Sequence, residues 1–182
     1  MARKGVRLVV LCEDDKHWRF ARWAFLQLGY NPRELKDSQA PPGGGAAEQW
    51  VRQRYANEVS VYRSKAGHQK IGLVVVIDAD KQTVDYRHKQ LSSGLGEAGL
   101  DKRGAAERIA IWVPKRHIET WVADLLGHTV NEEDDYKNRM AEADYRQAAV
   151  AFVERYRNPN SRPAELLPST ARAFDETDRL PA

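Results

Sequence analysis

The chain has 182 residues, 29 Lys and Arg against 26 Asp and Glu, a formal charge of +3 and a single cysteine. That length suits one domain with a buried core, and 42% hydrophobic with 30% charged residues excludes a disordered or collagen-like chain. The lone Cys12 excludes a disulfide framework and a cysteine-based zinc site, and no apolar run approaches the ~20 residues that a membrane span needs.

The opening Met-Ala-Arg-Lys precedes only a short apolar run, which ends in Glu13-Asp14-Asp15 without a small-residue cleavage site. It does not read as a signal peptide, and the expectation is a cytoplasmic protein. Arg supplies 19 of the 29 cations, a residue suited to forked recognition of phosphates, although a net +3 over this length is by itself ordinary solvated surface.

Residues 6–12 read as a short buried strand. Asp15 is the expected N-cap of a helix in which Trp18, Ala21, Phe25 and Leu28 recur at helical spacing and Gly29 closes the last turn. A second strand is expected over 30–35, a Pro/Gly loop over 40–45, and a helix with Ala47, Trp50, Val51 and Tyr55 on one face, followed by a short strand over 59–62. Residues 71–77 are apolar throughout, the pattern of a central parallel strand covered on both faces. A helix over 83–91, a strand over 108–113 broken by Pro114, and a helix over 116–126 with Ile118, Trp121, Val122 and Leu125 as its stripe come next. From 131 onward the chain reads as helical, over 145–156 and again within 163–180. Strands alternating with helices predict an α/β fold with a mostly parallel sheet flanked by helices. The predicted organisation is an α/β core over 1–126 and a helical C-terminal extension over 127–182 packed on the same domain.

Ligands of open α/β sheets gather beyond the carboxyl ends of the strands. Glu13, with Asp14 and Asp15, ends the first strand, Asp78 and Asp80 end the central one, and Glu119 lies just after the third, in the first turn of its helix. Any one of these acids is ordinary turn chemistry. Three groups at successive strand ends converge on one crevice if the strands are neighbours. Carboxylates gathered there repel one another, and a hard divalent cation removes the conflict. Period-2 alternation would turn Asp78 and Asp80 to the same side, with small Ala79 between them.

A hydrophobic strand ending in Glu13 and a later one ending in Asp78-Ala79-Asp80 resemble a Toprim domain. That metal-binding fold is shared by topoisomerases, bacterial primases, recombination factors and overcoming-lysogenization-defect nucleases. The stretch IAIWVPKRHIETW, with Glu119-Thr-Trp121 after Pro114, is similar to small stand-alone bacterial members, close to the nuclease branch. The resemblance spans about residues 6–126. It implies a nuclease acting on nucleic-acid phosphodiesters with Mg²⁺ or Mn²⁺ held by Glu13, Asp78 and Asp80. Glu119 matches the later acid of that branch. It also implies an ATPase partner and a role in phage defence. Asp14 stands where many members have Gly, and Gln82 where topoisomerases often have a third acid. Lys115 and His117 are candidates for phosphate contact or proton transfer, and Lys81, Arg87 and Arg116 for holding nucleic-acid phosphate, since such sites need cations around an acidic centre. No residue pattern points to sequence readout or to an oligomeric state.

Two other classes fit parts of the sequence. The opening also resembles a response-regulator receiver, in which Asp78 would accept phosphate, but Asp78 lies 63 residues after Asp15, too far on for such a domain. A non-catalytic Toprim-like adaptor that binds a partner through exposed helices is the other. Gly94-x-Gly96-x-x-Gly99 matches a dinucleotide fingerprint, yet a predicted helix precedes it and a strand follows, the reverse of what the fingerprint needs. The five histidines, His17 among them, do not pair at metal spacing, and Trp18, Trp23, Trp50 and Trp121 read as core or interface.

Overall fold

Four short strands form one sheet in the order β2-β1-β3-β4, every pair parallel: β1 (Arg7–Cys12), β2 (Leu35–Gln39), β3 (Ile71–Val76) and β4 (Ile109–Trp112). The computed structural model describes residues 5–43 and 45–181, so the opening tetrapeptide, Gly44 of the predicted loop and Ala182 lie outside it. Among the described residues six helices flank the sheet: α1 (Asp15–Gln27), α2 (Ala47–Ala66), α3 (Val84–Glu97), α4 (Ile118–Leu125), α5 (Glu142–Arg157) and α6 (Pro168–Thr177). None of them is long and apolar enough to cross a membrane.

Strand alternation splits the core into two layers. Leu8, Val10, Val74, Val76, Ala110 and Trp112 face α1, α4, α5 and α6. On the other face Leu11, Leu73, Val75, Ile77 and Ile111 meet α2 and α3. All six residues of β3 are buried, as a doubly covered central strand requires. Trp112 anchors the first layer. It stacks on Phe25 at 5.0 Å and packs against Phe152 at 5.1 Å, and Phe152 in turn stacks on Trp121 at 5.9 Å. In this way α5 and α6, from beyond residue 126, share a core with α1 and α4. Trp121 is fully buried, whereas Trp18, Trp23 and Trp50 are partly buried against the two layers.

The outer edge of β4 is closed by side chains rather than by another strand. Glu176 of α6 accepts the Ile111 N–H at 2.9 Å, and Arg103 and Arg179 donate to the Ile109 carbonyl at 2.9 and 3.0 Å. An edge protected in this way cannot recruit a further strand.

Four local expectations are corrected. Asp14, not Asp15, caps α1, accepting the N–H groups of Lys16 and His17 at 2.9 and 3.1 Å. Residues 30–35 are not a strand: Asn31 caps a single 3₁₀ turn at Pro32–Glu34, and the strand begins only at Leu35. Residues 59–62 continue α2, because Val51, Tyr55, Val59 and Tyr62 form one unbroken buried stripe that outweighs the β preference of the valines. After α4 the chain is irregular until Glu142, where helix was expected from 131. Gly29 does close α1, with φ of 93°: its N–H bonds to the Leu26 carbonyl and the Tyr30 N–H to that of Phe25.

Candidate functional site

In a sheet ordered 2-1-3-4 the connections leave β1 and β3 in opposite directions, and the crevice between their carboxyl ends is where such folds bind ligands. Glu13 and Asp78 stand there. The Asp78 N–H donates to Glu13 Oε1 at 2.6 Å, which ties the two strand ends together. His17, one turn into α1, fills the space beneath them. Its Nδ1 pairs with Asp14 Oδ1 at 2.8 Å and its Nε2 with Asp78 Oδ1 at 2.9 Å. One ligand atom from each of Glu13, His17 and Asp78 lies within 4.8 Å of the other two.

The electrostatics follow from burial. Desolvation and the Asp78 charge push the Glu13 carboxyl up to about 8. Burial likewise drives Asp78 upward, against the pull of His17. For His17, burial alone would disfavour the cation, but Asp78 and Asp14 on its two nitrogens outweigh it and hold the imidazole well above its usual range. Asp14 is held below the usual carboxylate range because the bond to His17 overcomes its own desolvation. His17 thus bridges two carboxylates, and their charges favour its protonated form.

Glu119 reaches the same end of the sheet from the first turn of α4 and is 2% exposed. Its charge is matched by Lys16, whose Nζ donates to Glu119 Oε1 at 2.7 Å, a bond that raises the lysine pKa. Asp80 is positioned differently from expectation. β3 stops at Val76 and Asp80 has φ of 53°, so strand alternation does not govern its direction. Its N–H bonds to the Arg116 carbonyl at 3.0 Å, and its carboxylate faces Arg87 Nη2 at 3.4 Å and His117 Nε2 at 3.5 Å. Asp80 is outside the Glu13–His17–Asp78 group, though near enough for its charge to raise Glu13 further.

Arg87 does not fit a phosphate-holding role. It is 3% exposed, its Nε donates to the Asp78 carbonyl at 3.0 Å, and its Nη1 donates to Glu48 and Gln90 at 2.7 and 2.8 Å. The guanidinium is saturated from within and latches the loop that carries Asp78 and Asp80. Arg87, with its partner Glu48, forms part of the wall of an open depression of about 450 Å³ that Lys81, Arg116, Lys137, His117, Asp80 and Asp135 also line. His117 is 4% exposed, between Asp80 and Asp135 at 3.5 Å each, and its Nδ1 has no hydrogen-bond partner. Lys115 makes only a loose 3.9 Å pair with Glu133.

Sequence reasoning passed over His17, because no second histidine stands at ligand spacing. A usable signal was present: positions 17, 20, 21, 24 and 25 form the buried stripe of α1, and His17 is the one polar residue on it. Comparison of the chain with protein-family models, with curated proteins and with solved structures found no match.

Proposed function

We propose that the crevice at the ends of β1 and β3 is a divalent-metal centre for hydrolysis of nucleic-acid phosphodiesters, with Glu13 and Asp78 as its principal ligands. The observation that carries this reading is the pair of carboxylates at adjacent parallel strand ends, Asp78 buried and Glu13 half-buried, with the Glu13 carboxyl pushed up to about 8. Two such acids repel one another; His17 pairs with Asp78 and Asp14 but makes no hydrogen bond to Glu13, which leaves a carboxylate for a metal to match.

The donor set fits Mg²⁺ or Mn²⁺. Two carboxylates suit either ion, and the His17 nitrogen, once released from Asp78, adds a ligand better matched to Mn²⁺. A metal there supplies Lewis-acid stabilisation of the phosphoryl oxygens and lowers the pKa of a water nucleophile. The chain's own groups supply the rest. Lys81, Arg116 and Lys137 beside Asp80 form a cationic rim to hold a phosphate backbone. Lys16 neutralises Glu119, keeping that acid from repelling the substrate. His117, between Asp80 and Asp135, is placed for proton transfer at the depression. The Toprim resemblance extends the proposal to an ATPase partner in phage defence.

The receiver reading is not favoured, because a phosphoacceptor must meet its donor, and Asp78 is 5% exposed with its carboxylate engaged by His17. The test is a cleavage assay on single- and double-stranded DNA and RNA with Mg²⁺ and with Mn²⁺. Asp78→Asn should lower turnover by about 10²-fold or more, the scale of removing a strong electrostatic stabiliser. Equal cleavage by the variant would overturn the proposal.

A further inference from the structure

Beside the β4 edge lies a second cavity, of about 310 Å³, that shares no lining residue with the acidic crevice. Its polar lining includes His88 and Lys89 of α3, Lys102 and Arg103 before β4, and Arg172 of α6. Tyr55, Leu95 and Ile111, all buried, form its apolar wall. Among the described residues no carboxylate lines it.

Arg103 is neutralised by Glu176, whose Oε1 accepts from Arg103 Nη2 at 2.9 Å. Lys89, Lys102 and Arg172 have no ion-pair partner among the described residues. Three unmatched cations around one hollow repel each other, and an anion held among them adds an attractive term to each that offsets this repulsion. His88 lines the same hollow, its Nε2 closed off and without a hydrogen-bond partner, which puts a ring beside the cations that reports on any ligand they hold.

We propose that this cavity binds a small phosphomonoester, its phosphate gripped by the exposed Lys89, Lys102 and Arg172 beside the His88 ring, with its organic part against Tyr55, Leu95 and Ile111. A phosphomonoester carries about −1.5 to −2 charge and three terminal acceptor oxygens. That matches three free cations better than a carboxylate or a diester with a single charge. The volume is at the lower end of small-ligand sites, roughly 300–1,000 Å³, which fits a compact molecule and leaves no room for a polymer. Burial pushes the His88 imidazole down to about 4, against the Glu176 charge and with Arg172 and Arg103 adding to the effect.

The experiment follows the His88 ring signals by NMR in the full chain, at constant ionic strength. The probes are inorganic phosphate, glycerol 3-phosphate and dimethyl phosphate. Saturable shifts are expected with the first two, at least 10-fold tighter than with dimethyl phosphate. Affinity should weaken at least 10-fold in Arg172→Glu and, independently, in Lys102→Glu; both positions are exposed, so the fold should persist. Three results would overturn the proposal: no saturable shift, equal affinity for dimethyl phosphate, or unchanged affinity in both folded variants. The acidic crevice is untouched by these variants, so nuclease activity should be unaltered and the two proposals stand or fall separately.

Discussion

Replacing Glu13 by Gln separates a metal ligand from a structural acid, because the two roles predict opposite signs. The wild-type carboxyl is pushed up to about 8, whereas the unfolded chain returns it to its ordinary value near 4.5. Below pH ~4.5 both states hold the proton and folding carries no penalty. As pH rises toward ~8 the unfolded chain releases the proton first, so stability falls throughout that window. Over 2.5 pH units the full linkage is roughly 3 kcal/mol at pH 7, and sharing of the titration with Asp78 and His17 reduces it to on the order of 2 kcal/mol. Gln is neutral in both states and its amide oxygen can still accept the Asp78 N–H. Metal-free Glu13→Gln protein should therefore melt about 4–8 °C higher than wild type at pH 7, at roughly 2–4 °C per kcal/mol for a chain of this size. Adding Mn²⁺ should reverse the ranking. At 100 times its Kd, a ligand of the folded state alone adds about 2.7 kcal/mol to the wild type, and the variant should lose most of that. Thermal melts at pH 5 and pH 7, with and without Mn²⁺, read all of this. The difference between variant and wild type should shrink at pH 5. A metal-free variant that melts lower than wild type would refute the reasoning, since the Glu13 charge would then stabilise the folded state, against His17, rather than being tolerated there.

Other outcomes follow from the same contacts. Arg87→Ala should cost roughly 1–3 kcal/mol, the scale of leaving the buried Asp78 carbonyl without its donor, read as a lower denaturation midpoint. An unchanged midpoint would contradict the latch. Lys81→Glu and Lys137→Glu should each weaken nucleic-acid binding and flatten its logarithmic salt dependence by about one unit if each contacts one phosphate. Titrations at two or more salt concentrations measure this, and a parallel shift without a change of slope would remove those lysines from the interface. Gly72→Ala should destabilise by roughly 1–3 kcal/mol, because an added Cβ would stand 2.8 Å from Leu8 Cδ1 and 3.3 Å from Pro181 Cδ. Urea unfolding checks it, and a neutral result would mean that Leu8 moves aside freely.

What the sequence determined by itself was whatever depends on local pattern. The unbroken apolar run of β3 and the shorter runs of β1 and β4 marked buried parallel strands. Their alternation with helices set the class, and the acids after them marked the strand ends where Glu13 and Asp78 come together. Pattern failed where two local signals conflicted, as at Val59 and Val61, whose β preference gave way to the helical stripe running through Tyr55 and Tyr62. Side-chain partnership was decided only in three dimensions. His17 and Asp78 are 61 positions apart and become a 2.9 Å pair because β1 and β3 are adjacent and Asp14 fixes the start of α1. Arg87 reads as a surface cation beside an acidic motif, yet α2 supplies Glu48 and buries it. Asp80 leaves the strand's alternation because its backbone is held to Arg116 across the loop after β4. Periodicity is a property of neighbours along the chain. The charge balance of a buried site depends on which distant groups are brought within a few ångströms, and that information resides in the packing.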